Sequence, residues 1–480
     1  MSLSIKPIES DPGQTPGSAP VKRIGLLSLI SADCDTVPAM ANRARDFHCA
    51  AFLTLGELGF HVMRPETATR TPEEAIVHIR ALEHAGAETL VMYVADWSYS
   101  TTAAWSALLT NGLPIVLWTN ARHDCAGLIG AGAAKGALSE VGIEAPLVYG
   151  NSDDEAARKE LKITCTGFAA ARRLRGMRYG LGGSRSLEML TASIDPNQWL
   201  TQFGVDAAGW DELDVVERSK DVAPSDVNRY KTWLAQAFNR VEVDDVVVEM
   251  SVRLYLALKK VIAEKHFDFI SVKCLPVMAK AATSWCLSHA LLGDSSDADG
   301  PKERVVCACE SDSNGALTMQ MMKNVADQAV GFADVRWLDP DNNVLRLSNC
   351  GSQPTELAPC RKDIHWVAHG LRELSWKHGG MCPQCISKPG RVTLARLSRI
   401  RGRHVMLIAG GESLEKPREA LRETYWAFSP HAWVALDIPA KAFIKHLRSN
   451  HIHMMYGDFR RELVHLCRIV DVEPIVLRGD

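Results

Sequence analysis

From Val21 to about Asp339 the chain alternates short apolar runs with amphipathic stretches of helix length. No other feature narrows the possible architectures as much. Residues 24–30, 60–63, 90–94, 114–118 and 146–149 are predominantly apolar strand candidates, as expected for strands buried on both faces. Between them, 38–58 is amphipathic and stops at Gly59, and Thr71-Pro72-Glu73-Glu74 places a cap and a first-turn proline at the start of a helix reaching about His84. A long helix, 154–175, closes this block. Strands separated by helices of this length predict a parallel, doubly wound sheet.

A second block of the same kind begins near Met177. Its first strand runs into Arg178-Tyr179-Gly180-Leu181-Gly182-Gly183-Ser184-Arg185, a glycine-rich turn. This turn lacks both the full dinucleotide spacing and the P-loop Lys-Ser/Thr, so a tight backbone turn is the plainer reading than a phosphate cradle. Helix 246–264, strand 269–273, helix 279–292, a polar loop over 293–303 and strand 305–309 continue the alternation. After Asp339 the character changes. Short strands at 344–347, 392–397, 404–408 and 433–436, separated by Gly, Pro and Asn, predict an antiparallel sheet or small barrel, with a last helix over 439–449. The expected organisation is a loose tail (1–20), two α/β parallel-sheet domains (21–176 and 177–338) and a β-rich C-terminal domain (339–480).

The 480 residues suffice for several cores, and 46% hydrophobic with 23% charged residues is ordinary for a globular protein. A net charge of −3 offers no electrostatic footprint for nucleic acid. The basic stretch 396–403, broken by apolar residues, reads as a solvated strand edge. No window reaches the ~20 apolar residues of a membrane span, and residues 1–21 lack the apolar core of a secretory signal. The thirteen cysteines are scattered through apolar runs, as small buried hydrophobes in a reducing, cytoplasmic setting. Cys382-Pro383-Gln384-Cys385, with Cys350 and Cys360, is weighed as a four-cysteine zinc site, but its irregular spacing favours reduced structural thiols.

Two carboxylates carry the chemistry. Glu310 follows the apolar run 305–309 and Asp334 the run 330–333, and residues 314–322 between them read as a helix with Ser311, Asp312 and Ser313 as candidate caps. Both are expected at the ends of neighbouring parallel strands, where open α/β sheets place ligands. For either alone, helix capping or, for Asp334, an ion pair with Arg336 is the plainer explanation. With His451 after Asn450, and His453 and Asp458 nearby, they make an oxygen-rich donor set for a hard divalent cation.

Gly182-Gly183-Ser184-Arg185-Ser186, Ile194-Asp195-Pro196-Asn197-Gln198-Trp199, Phe203-Gly204-Val205-Asp206, Glu310 through Ala316, Phe332 through Arg336, and Asn450-His451 with Tyr456-Gly457 together resemble the L-fucose/L-arabinose isomerase superfamily. The resemblance implies two Rossmann-like domains plus a β-rich one, and a divalent ion, usually manganese, held by Glu310, Asp334 and His451. It also implies a homo-oligomer, trimer or hexamer, with the sugar site between subunits, and aldose–ketose interconversion. Val277, Glu188 and Asn349 depart from the family pattern and leave the sugar open.

The chemistry needs a base beside a carbonyl and stabilisation of an enediolate. Glu310 and Asp334 are expected to act as ligands and as the acid/base pair, with Asn450 an outer hydrogen-bonding residue. Trp97, at a strand end, either packs in a core or stacks on sugar from across an interface. A sugar lyase or hydratase using the same chemistry, and a non-catalytic sugar-binding protein, are the alternatives.

Overall fold

The computed structural model describes residues 21–369, 379–424 and 427–477, so the expected tail at 1–20 lies outside the described residues. The chain divides into two compact units, one ending at Arg173 and the other starting at Leu174.

The first unit is a five-stranded parallel sheet in the order β2-β1-β3-β4-β5, built from β1 (Arg23–Leu29), β2 (His61–Met63), β3 (Thr89–Val94), β4 (Ile115–Thr119) and β5 (Leu147–Tyr149). Every residue of β3 and β4 is buried, which accounts for their almost wholly apolar sequence, with a threonine only at one end of each. The intervening helices start as their sequences direct. Thr71 Oγ1 accepts from Glu74 N ahead of Pro72–His84, and Asp154 caps Glu155–Arg172. Leu27, Leu29, Leu90, Met92, Leu117 and Leu138 belong to one core cluster of this unit.

In the second unit, β6 (Arg178–Gly182), β7 (Asp206–Trp210), β9 (Phe269–Ser271) and β12 (Val306–Ala308) form a parallel sheet ordered β12-β9-β6-β7. Between them in the chain come β8 (Arg240–Glu242) and a small hairpin of β10 (Ser296–Asp297) and β11 (Gly300–Pro301). The later strands are β13 (Gly331–Asp339), β14 (Val344–Ser348), β15 (His365–Ala368), β16 (Met381–Gln384), β17 (Gly390–Ile400), β18 (Arg403–Ser413), β19 (His431–Leu436), β20 (His451–Tyr456) and β21 (Glu473–Val476). Strands β15 and β16 make a small sheet with β8. Antiparallel pairing runs β17-β20-β13-β14-β19-β18, and a β18–β17 pairing closes the ring into a six-stranded barrel with β21 attached in parallel to β18. Alternate residues fill the barrel: Leu345 and Leu347, Val392 and Leu394, Ala432 and Val434, Ile452 and Met454 share one cluster. Closure leaves few open sheet edges.

One expectation is corrected. The run before Asp334 is not a parallel neighbour of the run before Glu310: β12 pairs with β9, whereas β13 lies in the barrel, antiparallel to β14 and β20. Four consecutive apolar residues are compatible with either setting, and periodicity cannot separate them at that length. The barrel's first strand thus begins at Gly331, ahead of Asp339. No described helix is long and apolar enough to cross a membrane.

Candidate metal centre

Two places in the second unit meet here: the turn after β12 and the β13–β20 pair. After Ala308 the chain turns through Cys309–Ser311 with Glu310 at φ 58°, ψ 27° and Ser311 at φ 48°. Each such left-handed residue costs of order 1–3 kcal/mol unless its surroundings impose it. Here Ser311 N donates to Val272 O at 2.9 Å and Ser311 Oγ to Gly182 O at 2.6 Å, which pins the turn to the ends of β9 and β6.

Asp334 and His451 stand directly opposite each other across the β13–β20 ladder. The adjacent pair is joined by Val335 N donating to Asn450 O at 2.7 Å, so Asp334 and His451 form the closer kind of cross-strand pair, without mutual backbone hydrogen bonds. A register shift between Val335 and Trp337 leaves Arg336 bulged beside them, and bulges re-aim neighbouring side chains. Asp334 Oδ1 accepts from Asn450 Nδ2 at 3.2 Å, while Oδ2 faces Arg336 Nη2 at 3.4 Å. The ion pair weighed as the plain explanation for Asp334 therefore exists, and occupies only one of its two oxygens.

His451 is almost fully buried and packs on Phe332 at 4.4 Å between ring centroids. Its Nδ1 bonds Asp312 Oδ2 at 2.7 Å. Its Nε2 lies 3.3 Å from Glu310 Oε2 and 3.5 Å from Asp334 Oδ1, yet makes no well-aligned hydrogen bond. Two carboxylate oxygens and an imidazole nitrogen thus converge, with the far nitrogen held by a buried carboxylate. That is the arrangement by which proteins orient a ligating histidine, and carboxylate and imidazole are the donor types of hard divalent cation sites.

Asp312 organises the centre. Its Oδ1 caps the helix Ser313–Ala326 by accepting from Gly315 N at 3.0 Å. The same carboxylate takes both Nη groups of Arg396 from β17, with Nη2 to Oδ1 at 3.1 Å. Burial alone would raise the Asp312 carboxyl, but the Arg396 and His451 charges hold it far below the usual range. For His451 burial works downward, and the Asp312 hydrogen bond with the pull of Glu310 outweighs it, carrying the imidazole to about 9. Burial raises Asp334, with the charge of Glu310 adding to it and that of His451 opposing.

The structure brings Glu310, Asp334, His451 and Asn450 together. Trp97 belongs to the first unit, past the end of β3, half-buried and edge-on to Tyr99 at 6.2 Å. Its backbone N donates to Asp96 Oδ1, a buried carboxylate paired with Arg43. His453 faces Arg396 at 3.3 Å, and Asp458 is held by Arg460 and Arg391. Arg396 itself is buried at 2% exposure, so the reading of 396–403 as a solvated edge fails at its first residue. The four-cysteine grouping does not assemble either: Cys360 is exposed, and among the described residues the metal-capable group is Cys309, Glu310 and Cys350, with donor atoms within 4.8 Å of one another. Asp312 and Arg396 were the residues sequence reasoning missed. The available signal was the crowding of three short polar residues before one helix that needs a single cap.

Comparison with known proteins gives two results. Residues 347–477 match the family described as L-fucose isomerase, C-terminal domain. The sulfoquinovose isomerase of Alkalicoccus urumqiensis is 22% identical over 387 residues, and that of Clostridium sp. (strain MSTE9) 23% over 383; each alignment covers 76% of this chain and 80% of the relative.

Proposed function

Taking as premise that this chain is a fucose-isomerase-like protein, we propose that it is a metal-dependent aldose–ketose isomerase acting on a small sugar through an enediol. The observation that carries the reading is the convergence of Glu310, Asp334 and the unsatisfied Nε2 of His451, backed by Asp312. Glu310, Asp334 and His451 would hold the cation, manganese or another hard divalent ion. When bound, it supplies Lewis-acid stabilisation of charge developing on neighbouring substrate oxygens.

The chain's own groups do the rest. Glu310 and Asp334 serve as the acid/base pair on the substrate carbons. Burial pushes the Asp334 carboxyl above its ordinary value. Asn450 keeps Asp334 Oδ1 oriented. In an oligomer with shared sites, Trp97 stacks on the sugar from across the interface. The relatives' names make sulfoquinovose, a sulfonated hexose, the first sugar to try.

The deciding experiment is proton NMR of an aldose and ketose panel in deuterated water with the manganese-loaded protein. An isomerase exchanges one C–H and yields a new sugar; fragments indicate a lyase, and binding without exchange a sugar-binding protein. Either of the last two results rejects the proposal.

A further inference from the structure

Glu310 faces two kinds of donor. One side offers the nitrogen and oxygen of His451 and Asp334. The other offers sulfur: Cys309 Sγ, Cys350 Sγ and a Glu310 oxygen lie within 4.8 Å of one another. The sulfur side goes deeper, because the Cys274 thiol also stands within interaction reach of Cys309. Cys286 and Cys382 stand within electrostatic reach of Cys350, and all five of these cysteines are free and buried. They arrive from separate parts of the chain: after β9, in the helix Cys286–Gly293, after β12, after β14 and within β16. The cluster closes because residue 351 is glycine. A Cβ there would stand 2.5 Å from Cys286 Sγ and 2.8 Å from Cys382 Cβ, at φ +150°.

A buried cysteine by itself packs as a small hydrophobe. Apolar packing does not account for a carboxylate and an imidazole beside the thiols: Glu310 adjoins Cys309 and Cys350, and His369 stands near Cys350. Thiolates select soft cations, whereas the Asp334–His451 side suits hard ones. Access is available, since the Glu310 side chain is 12% exposed and Cys350 9%.

We propose that Cys309 and Cys350, with Glu310, form a second site for a thiophilic divalent cation of the zinc and cadmium class, and that a cation seated there draws the Glu310 carboxylate away from Asp334 and His451. The ligating thiols release their protons to solvent as the cation binds. The binding stands on the thiol geometry alone; the consequence for manganese rests on the isomerase reading.

The test titrates the full-length, manganese-loaded protein with cadmium. Expected are a thiolate-to-cadmium charge-transfer band saturating near one equivalent, at least two sulfur neighbours by cadmium X-ray absorption, and release of manganese seen as the free-ion EPR signal. Cys309→Ser and Cys350→Ser should each weaken cadmium binding at least tenfold, while Cys467→Ser, a buried thiol against Met406, should leave it unchanged. If the two site variants fail to fold, X-ray absorption on the unaltered protein still decides. Coordination by oxygen and nitrogen only overturns the proposal, as does a mass two hydrogens low that locates a Cys309–Cys350 disulfide in the protein as isolated. A cadmium–sulfur signature in a protein that never takes manganese upholds the thiol site and counts against the metal-isomerase reading instead.

Discussion

Replacing Asp312 by Asn should separate two roles of one buried carboxylate. Asparagine keeps an oxygen for Gly315 N, so the helix cap survives, and the fold loses only a negative charge. That charge is the partner of Arg396, itself 2% exposed. Leaving a buried guanidinium uncompensated costs about 3–5 kcal/mol, against a total stability of about 5–15 kcal/mol, so the variant folds but is visibly weakened. The same substitution removes the anionic anchor of His451 Nδ1, 2.7 Å away. Loss of such an outer partner typically lowers metal affinity roughly 10–100-fold, or about 1.4–2.7 kcal/mol. The two effects come apart in the double variant Asp312→Asn with Arg396→Met. Removing the orphaned cation should restore most of the stability in a denaturant titration, while manganese affinity by calorimetry stays low. Wild-type manganese affinity in both variants would falsify the assignment of Asp312 as anchor of a ligating histidine. A double variant no more stable than the single would refute the buried-charge argument.

Glu310→Gln should cut turnover by about two to four orders of magnitude with an unchanged far-ultraviolet spectrum, as loss of an acid/base group does; near-normal turnover removes Glu310 from the mechanism. Chelation should abolish activity and manganese restore it. Manganese at about 100 times its dissociation constant should add about 2.7 kcal/mol of stability, and an unchanged melting temperature would contradict binding by the folded state. Glu212, whose carboxylate accepts from Lys273 N, is pushed up to about 8 by burial. The folded chain therefore holds a proton that the unfolded chain releases near pH 4.5, so stability from this group is full below that pH and falls as pH rises through about 8. The loss amounts to a few kcal/mol. Glu212→Gln should flatten that decline in denaturant midpoints measured between pH 5 and pH 9, and an unaltered pH dependence would show that Glu212 is not its source.

The parts of this molecule that sequence reveals are those governed by local pattern. The strands of the first unit announce themselves because residues buried on both sheet faces must all be apolar, and Glu310 is recognisable as the residue after such a run. Asp334 was assigned to the correct neighbourhood but to the wrong sheet, since its pairing with His451 spans more than a hundred residues. Arg396 misled for a related reason: a charged residue in a strand is normally solvated, and only its partner 84 positions away explains its burial. Asp312 was legible as a helix cap and illegible as an anchor, because capping is decided by the next few residues and anchoring by β17 and β20. The thiol cluster draws on five chain segments and leaves no trace in cysteine spacing.

The opposition of Asp334 and His451 across one antiparallel ladder has a consequence for how this chain tolerates length changes. Side chains alternate between the two faces of a strand, so a slip of one position in β13 turns Asp334 toward the barrel interior and Ala333 outward, and a slip in β20 does the same to His451 and Ile452. A single inserted or deleted residue within Gly331–Asp339 or His451–Tyr456 would therefore dismantle the donor set while leaving the composition of both strands almost unaltered. Additions at the exposed β17–β18 hairpin tip, around Arg401 and Gly402, should pass without effect on it.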